Sequence, residues 1–334
     1  MPTAPIELLP SAPLALRPTP MHRLARLSTE VGVDLWVKRD DLTGAALSGN
    51  KVRKLELLLG DALAHGADTV ITCGGAQSNH ARATAIAAAQ LGMRSVLILR
   101  GAEPERLEGN LLLDRVVGAT IRWVTPEQYR ERGGVFAEVE AQVRERGGRP
   151  YSIPEGGSNA LGAVGYVRAW DEIQAQAAAA GVTFDAVLCA VGSGGTLAGL
   201  VAGARRAGFG GRVIGVNVCD DAATFERITS ALLAEMGDRW GVPPTGAHPE
   251  LLDGFVGRGY ALSSRQELDA LGHVAALEGL LLDPVYTGKA MYAMLSQLRA
   301  NRATFGERVL FIHTGGIFGL FPKAGDARTV LDED

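Results

Sequence analysis

Cysteine is scarce in this chain. Cys73, Cys189 and Cys219 are the only three in 334 residues, far apart and without a C-x-x-C pair. That argues against a disulfide framework and a thiolate metal site, and the expectation is three reduced core thiols. The histidines show no ligand spacing, so no metal is expected. Neither sign of charge dominates, with 33 Lys and Arg against 37 Asp and Glu and no basic cluster. A dedicated nucleic-acid or anionic-membrane surface is therefore not expected. Apolar runs fall well short of the roughly 20 residues that a membrane-spanning helix needs. Pro2, Pro5, Pro10, Pro13, Pro18 and Pro20 interrupt any apolar signal-peptide core. These features together lead to the expectation of a cytoplasmic protein.

What is present is a large apolar content, 47% of residues, arranged as short β-rich runs alternating with longer helical segments. This alternation builds parallel sheets with helices on both faces, so the fold class is α/β. Strands are predicted at Asp34–Arg39, Thr69–Cys73, Val96–Arg100 and Thr120–Val124. Helices are predicted at Val52–His65, Ala81–Leu91, Leu107–Val117 and Val135–Arg146, the last three ended by glycine. A second series has helices at Val164–Ala180 and Leu197–Ala207 and strands at Ala186–Val191, Arg212–Val218 and Arg308–His313. The Gly- and Pro-rich stretch 237–259 reads as loop.

Several strand ends carry chemistry. Lys51 follows a Ser-Gly-Asn turn and opens a helix, which directs its amine and makes it a candidate covalent anchor for an aldehyde cofactor. Gly192-Ser193-Gly194-Gly195-Thr196 joins a strand to a helix, so its N–H groups form a phosphate cradle; a turn needed only for packing is the plainer alternative. The loop is not a dinucleotide fingerprint, since Leu197 stands where the last glycine belongs, and no Gly-Lys-Ser/Thr follows for a nucleoside triphosphate. Gln77-Ser78-Asn79-His80 crowds another helix start. Ser78 or Asn79 is a natural N-cap there, and a capped helix start is also a carboxylate site. Thr287 reads as the N-cap of a late helix. Tyr286 is either core or a ring that lies flat on a cofactor, and Thr314 would face the crevice at the strand ends.

Taken with Asp283-Pro284-Val285-Tyr286-Thr287-Gly288-Lys289, His313-Thr314-Gly315-Gly316 and Lys38-Arg39-Asp40-Asp41-Leu42-Thr43-Gly44, these motifs resemble the fold-type II pyridoxal 5′-phosphate enzymes. Within that family the chain is most similar to the D-cysteine desulfhydrase and 1-aminocyclopropane-1-carboxylate deaminase group, from about Thr19 to Gly319. The resemblance implies two open, twisted, mostly parallel sheets with flanking helices, like the tryptophan synthase β chain. It implies a large domain of residues 1–53 and 161–334, a small domain of residues 54–160, and a homodimer. Lys51 would be the covalent anchor and the proton carrier at the substrate Cα. Gly192, Ser193, Gly194, Gly195 and Thr196 would hold the phosphate, with Lys54, and Asn79 would meet the phenolate oxygen. Ser78, with backbone groups of Asn79 and His80, would take the substrate carboxylate. Tyr286 would stack on the ring and Tyr260 would stand near the substrate.

The cyclopropane deaminases carry a glutamate at the position of Thr287 and a leucine at that of Thr314. Threonine at both sites is the desulfhydrase pattern, and a neutral group at the ring nitrogen makes a weaker electron sink that suits a good leaving group on Cβ. The expected reaction is α,β-elimination, with D-cysteine giving pyruvate, sulfide and ammonia. L-cysteate sulfo-lyase and cyclopropane deaminase chemistry are the alternatives within the family. A catalytically silent cofactor-binding protein and a nucleotide-binding α/β protein are those outside it. Glu155, an acid where the group has a neutral residue, is expected to be solvated; facing the cleft instead, it would select an aminated substrate.

Overall fold

A computed structural model describes residues 5–325. Among the described residues, ten strands form two sheets. In the larger, β1 (Met21–Arg23), β2 (Asp34–Arg39), β7 (Ala186–Val191), β8 (Arg212–Asn217), β9 (Pro249–Leu252) and β10 (Arg308–His313) lie in the order β1-β2-β10-β7-β8-β9. Every pairing is parallel except β1 with β2. In the smaller, β3 (Thr69–Gly75), β4 (Arg94–Arg100), β5 (Thr120–Val124) and β6 (Pro150–Ser152) lie in the order β5-β4-β3-β6, all parallel. β7, Ala-Val-Leu-Cys-Ala-Val, is buried throughout, as a central strand covered on both faces must be. One face carries the helices Lys51–Ala64, Ala160–Ala180 and Gly195–Arg206, the other Arg265–Glu278 and Thr287–Ala300. Among the described residues no helix is long and apolar enough to cross a membrane.

Most predicted elements are present with shifted ends. The stretch 237–259 differs: the helix Ala222–Trp240 runs into it and β9 lies within it. β9 is a half-buried edge strand of sequence Pro-Glu-Leu-Leu, paired on one side with β8, and neither alternation nor β-branched residues announce it. β1 and β6, three residues each, are likewise edge strands.

The turn before Lys51 is anchored from below by buried charges. Arg53, buried in the first turn of the helix Lys51–Ala64, donates to Asp40 at 2.7 and 2.9 Å and to Glu172 at 3.0 and 3.1 Å. Lys38 also pairs with Glu172, and the Tyr166 hydroxyl donates to Asp40 at 2.6 Å. Burial pushes the Glu172 carboxyl up, but Arg53 and Lys38 outweigh it and hold it down at about 2. The network ties β2 to the helices Lys51–Ala64 and Ala160–Ala180. Arg53→Ala would leave Asp40 buried without the cation that compensates its charge, at a cost of about 3–5 kcal/mol. Urea unfolding should show the midpoint falling accordingly with the slope unchanged.

Candidate active site

The parallel strands of both sheets end on a shared cleft of about 410 Å³. Lys51 is the first residue of its helix, half-buried on the cleft wall. Its turn is clamped on two sides. The Asn50 N–H donates to Thr314 O at 3.0 Å and the Asn50 amide to Thr196 Oγ1 at 3.0 Å. Gly49, at φ +94°, approaches so closely that a Cβ would stand 2.9 Å from Thr314 O. Burial lowers the Lys51 amine to about 8 against the opposing pull of Glu155. At pH 7.4 about one molecule in five then carries a neutral, nucleophilic amine, against roughly one in a thousand for an ordinary lysine.

The loop after β7 turns at Gly194 (φ +79°) into the helix Gly195–Arg206, which has no side-chain cap; the Gly195 N–H is taken by Ser193 O at 3.0 Å, and the next N–H groups of the first turn, those of Thr196 and Leu197, are left for an incoming anion. Lys54, fully buried, comes up against this helix start: a Cβ on Gly195 would lie 2.9 Å from Lys54 Nζ and 2.7 Å from Ser158 Oγ. Nζ donates only to Gly156 O (3.2 Å) and Ser158 Oγ (3.1 Å), with no carboxylate among the described residues. Burial, then the charge of Lys51, pushes the Lys54 amine well below its ordinary value. A buried amine beside bare helix N–H groups is what a phosphate dianion would complete, so these residues fit pyridoxal 5′-phosphate.

Ser78 caps the helix Asn79–Gln90, accepting from Ala81 N at 3.2 Å, and lines the cleft beside Asn79. Asn79 Oδ1 accepts from Asn110, which in turn accepts from Arg82; Arg82 also donates to Ser48 O at 3.1 Å and to Ala46 O. Arg82 and Asn110 thus brace both the cleft amide and the Lys51 turn. Neither carries a sequence signal, because their partners come from distant segments. His80 points its ring into the interior, 2.8 Å from Thr72 Oγ1, and desolvation keeps it neutral, leaving its backbone for the cleft.

Tyr286 lies against the Gly192–Thr196 loop: a Cβ on Gly192 would be 2.7 Å from its Cε1. Its hydroxyl is 2.9 Å from that of Tyr260, with the rings at 67°. Burial raises the Tyr286 phenol well above its ordinary value, so the pair stays protonated. Buried Lys289 holds the Tyr260 loop through Val256 O and Gly259 O.

Three expectations are corrected. Thr287 is not the N-cap and does not line the cleft; Tyr286 takes the cap position. The Thr287 hydroxyl is consumed by Asp283 Oδ1 at 2.7 Å, because Asp283 gathers the N–H groups of Val285, Tyr286 and Thr287 to build the turn. Thr314 does line the cleft. Cys219 is partly exposed on the cleft wall, its Sγ 3.7 Å from Gly192 O, whereas Cys73 and Cys189 are buried. Burial nonetheless pushes the Cys219 thiol up to about 12. Glu155 is not simply solvated: it lines the cleft, accepts from the Tyr129 hydroxyl at 2.8 Å and pairs with Arg132 at 3.4 Å.

Comparison with known proteins gives the family of the chain. The family model described as pyridoxal-phosphate dependent enzyme matches residues 12–315. A putative 1-aminocyclopropane-1-carboxylate deaminase of Thermotoga maritima is 46% identical over 93% of this chain and 97% of its own length. A D-cysteine desulfhydrase of Yersinia enterocolitica is 41% identical over 91% and 92%. The crystal structure of an ACC deaminase homologue superposes with a TM-score of 0.91 at 39% identity, covering 97% of both chains.

Proposed function

We propose that this chain, which belongs to the pyridoxal-phosphate-dependent enzyme family, carries out α,β-elimination on a small amino acid, D-cysteine first among the candidates. The observation that carries the reading is the convergence of a desolvated Lys51 and the Ser78 helix start on one cleft, with buried Lys54, which has no carboxylate partner among the described residues, against the start of Gly195–Arg206 beside it. Pyridoxal phosphate, when bound, withdraws electrons from the substrate Cα and so acidifies its proton. Ser78 and the N–H groups of the following helix would orient the substrate carboxylate. Lys51 Nζ would take the Cα proton as the Cβ–sulfur bond breaks and sulfide departs with the electron pair. The Tyr260–Tyr286 hydroxyl pair, 2.9 Å apart, would hydrogen-bond to the departing sulfur. The enamine released hydrolyses to pyruvate and ammonia.

Deamination of 1-aminocyclopropane-1-carboxylate is the second reading, favoured by the similarity to proteins that carry that name. Against it stands Thr314, a neutral hydroxyl on the cleft wall, whereas Thr287 is turned to Asp283 and bears on neither reading. We also take residues 54–160 as a small domain and the active particle as a cytoplasmic homodimer, which light scattering would register as twice the chain mass.

The test is 2-oxo acid release from cofactor-loaded protein given D-cysteine, L-cysteine, L-cysteate, β-chloro-D-alanine or 1-aminocyclopropane-1-carboxylate. Turnover of D-cysteine and β-chloro-D-alanine, with little from the cyclopropane, is expected. Preference for the cyclopropane would replace elimination by ring opening.

A further inference from the structure

Three features in and around the cleft can receive negative charge. The start of Gly195–Arg206 with Lys54 suits a phosphate, and the Ser78 helix start suits an α-carboxylate. The third is Arg100, the last residue of β4, on the same cleft wall. Its guanidinium lies 5.4 Å from the Tyr129 ring centre and 6.0 Å from that of Tyr260, so two aromatic faces fix an otherwise exposed side chain. The other cleft arginines are compensated: Arg130 by Glu127 at 3.1 Å and Arg132 by Glu155 at 3.4 Å. Arg100 has no carboxylate or hydrogen-bond acceptor among the described residues, which leaves its fork of N–H donors free.

Building on the elimination reading, we propose that Arg100 forms a distal anion subsite. Preferred substrates would then be small amino acids whose Cβ substituent bears negative charge. Tyr260 contacts both Arg100 and Tyr286, so a group held by Arg100 lies on the side of the cleft where the phenol pair sits. D-Cysteine meets the requirement as its thiolate, and a sulfonate meets it at every working pH. Arg100 here determines specificity; it takes no part in bond making or breaking.

The experiment titrates cofactor-loaded protein with both enantiomers of cysteate and of β-chloroalanine, following the visible cofactor spectrum for binding and pyruvate for turnover. Cysteate should bind more tightly than β-chloroalanine of the same handedness. Arg100→Gln should raise the cysteate dissociation constant about tenfold or more, as expected for loss of a charge-assisted bond, and change that for β-chloroalanine less than about twofold. Arg100→Lys, which keeps the charge and loses the fork, should fall between them. Equal weakening of both ligands in Arg100→Gln, or no weakening of either, overturns the subsite. Arg100-dependent cysteate binding without pyruvate from any substrate would keep the subsite and remove the elimination reading. D-Cysteine turnover without Arg100-dependent discrimination would do the reverse.

Discussion

Lys51→Ala should abolish elimination, with turnover falling at least about 10⁴-fold, because one side chain serves as both covalent anchor and proton carrier. Its position explains the size of the effect. Asn50 is held to Thr314 and Thr196, Gly49 is pressed against Thr314 O, and Arg82 grips the carbonyls just upstream, so no neighbouring amine can swing in as a substitute. The other amine nearby, Lys54, is held by Gly156 O and Ser158 Oγ. Borohydride treatment followed by mass measurement checks the anchor directly: the cofactor should become fixed to the wild-type chain and not to the variant. Fixation in the variant would assign the anchor elsewhere. The pH dependence carries a sign as well. With the Lys51 amine lowered to about 8, capture of pyridoxal phosphate by cofactor-free protein should speed up as pH rises through 8 and level off above it. An ordinary lysine would keep accelerating to about 10.4.

Lys54→Met should weaken cofactor binding about a hundredfold or more while leaving the cofactor-free protein as stable as before, or more so. The opposite signs come from one cause. In the empty protein the Lys54 amine is desolvated and lies near a second cation, which pushes its proton affinity well down. Methionine fills similar space without that penalty. A phosphate dianion at the Gly195 helix start would reverse the balance, and truncating one partner of a buried charge pair typically costs 2–5 kcal/mol. Because the bound anion favours the protonated amine that burial disfavours, cofactor binding should be linked to proton uptake by Lys54, and affinity should fall as pH rises. Calorimetry in buffers of different ionisation enthalpy measures the uptake. Thermal melts with and without cofactor separate the two stability effects, and equal losses in both would show Lys54 to be a packing residue.

How much of this was legible in the sequence follows from how local each signal is. The α/β alternation, the strand Ala186–Val191 and the glycine-ended helices depend on residues a few positions apart, and they read correctly from the chain. So did the position of Lys51 at a helix start and of Ser78 as a cap, because turn and cap chemistry is confined to one turn. β9 was missed because an edge strand takes its conformation from the neighbour it pairs with. Thr287 was misread because the sequence shows a hydroxyl at a helix start but not Asp283 folding back to capture it.

By itself, then, the sequence determined the class of fold, the order of its elements and which strand ends carry reactive groups. Tertiary structure decided which of those groups meet. Lys54 reaches Gly195 and Ser158, Arg82 braces a turn more than 30 positions away, and Arg100 lies between Tyr129 and Tyr260 only because two parallel sheets end at one cleft. Such contacts join segments far apart in the chain, and their geometry is set by sheet order and register. No local spacing rule encodes that order, so the electrostatics of the cleft, with its two desolvated lysines and one uncompensated arginine, emerges only on folding.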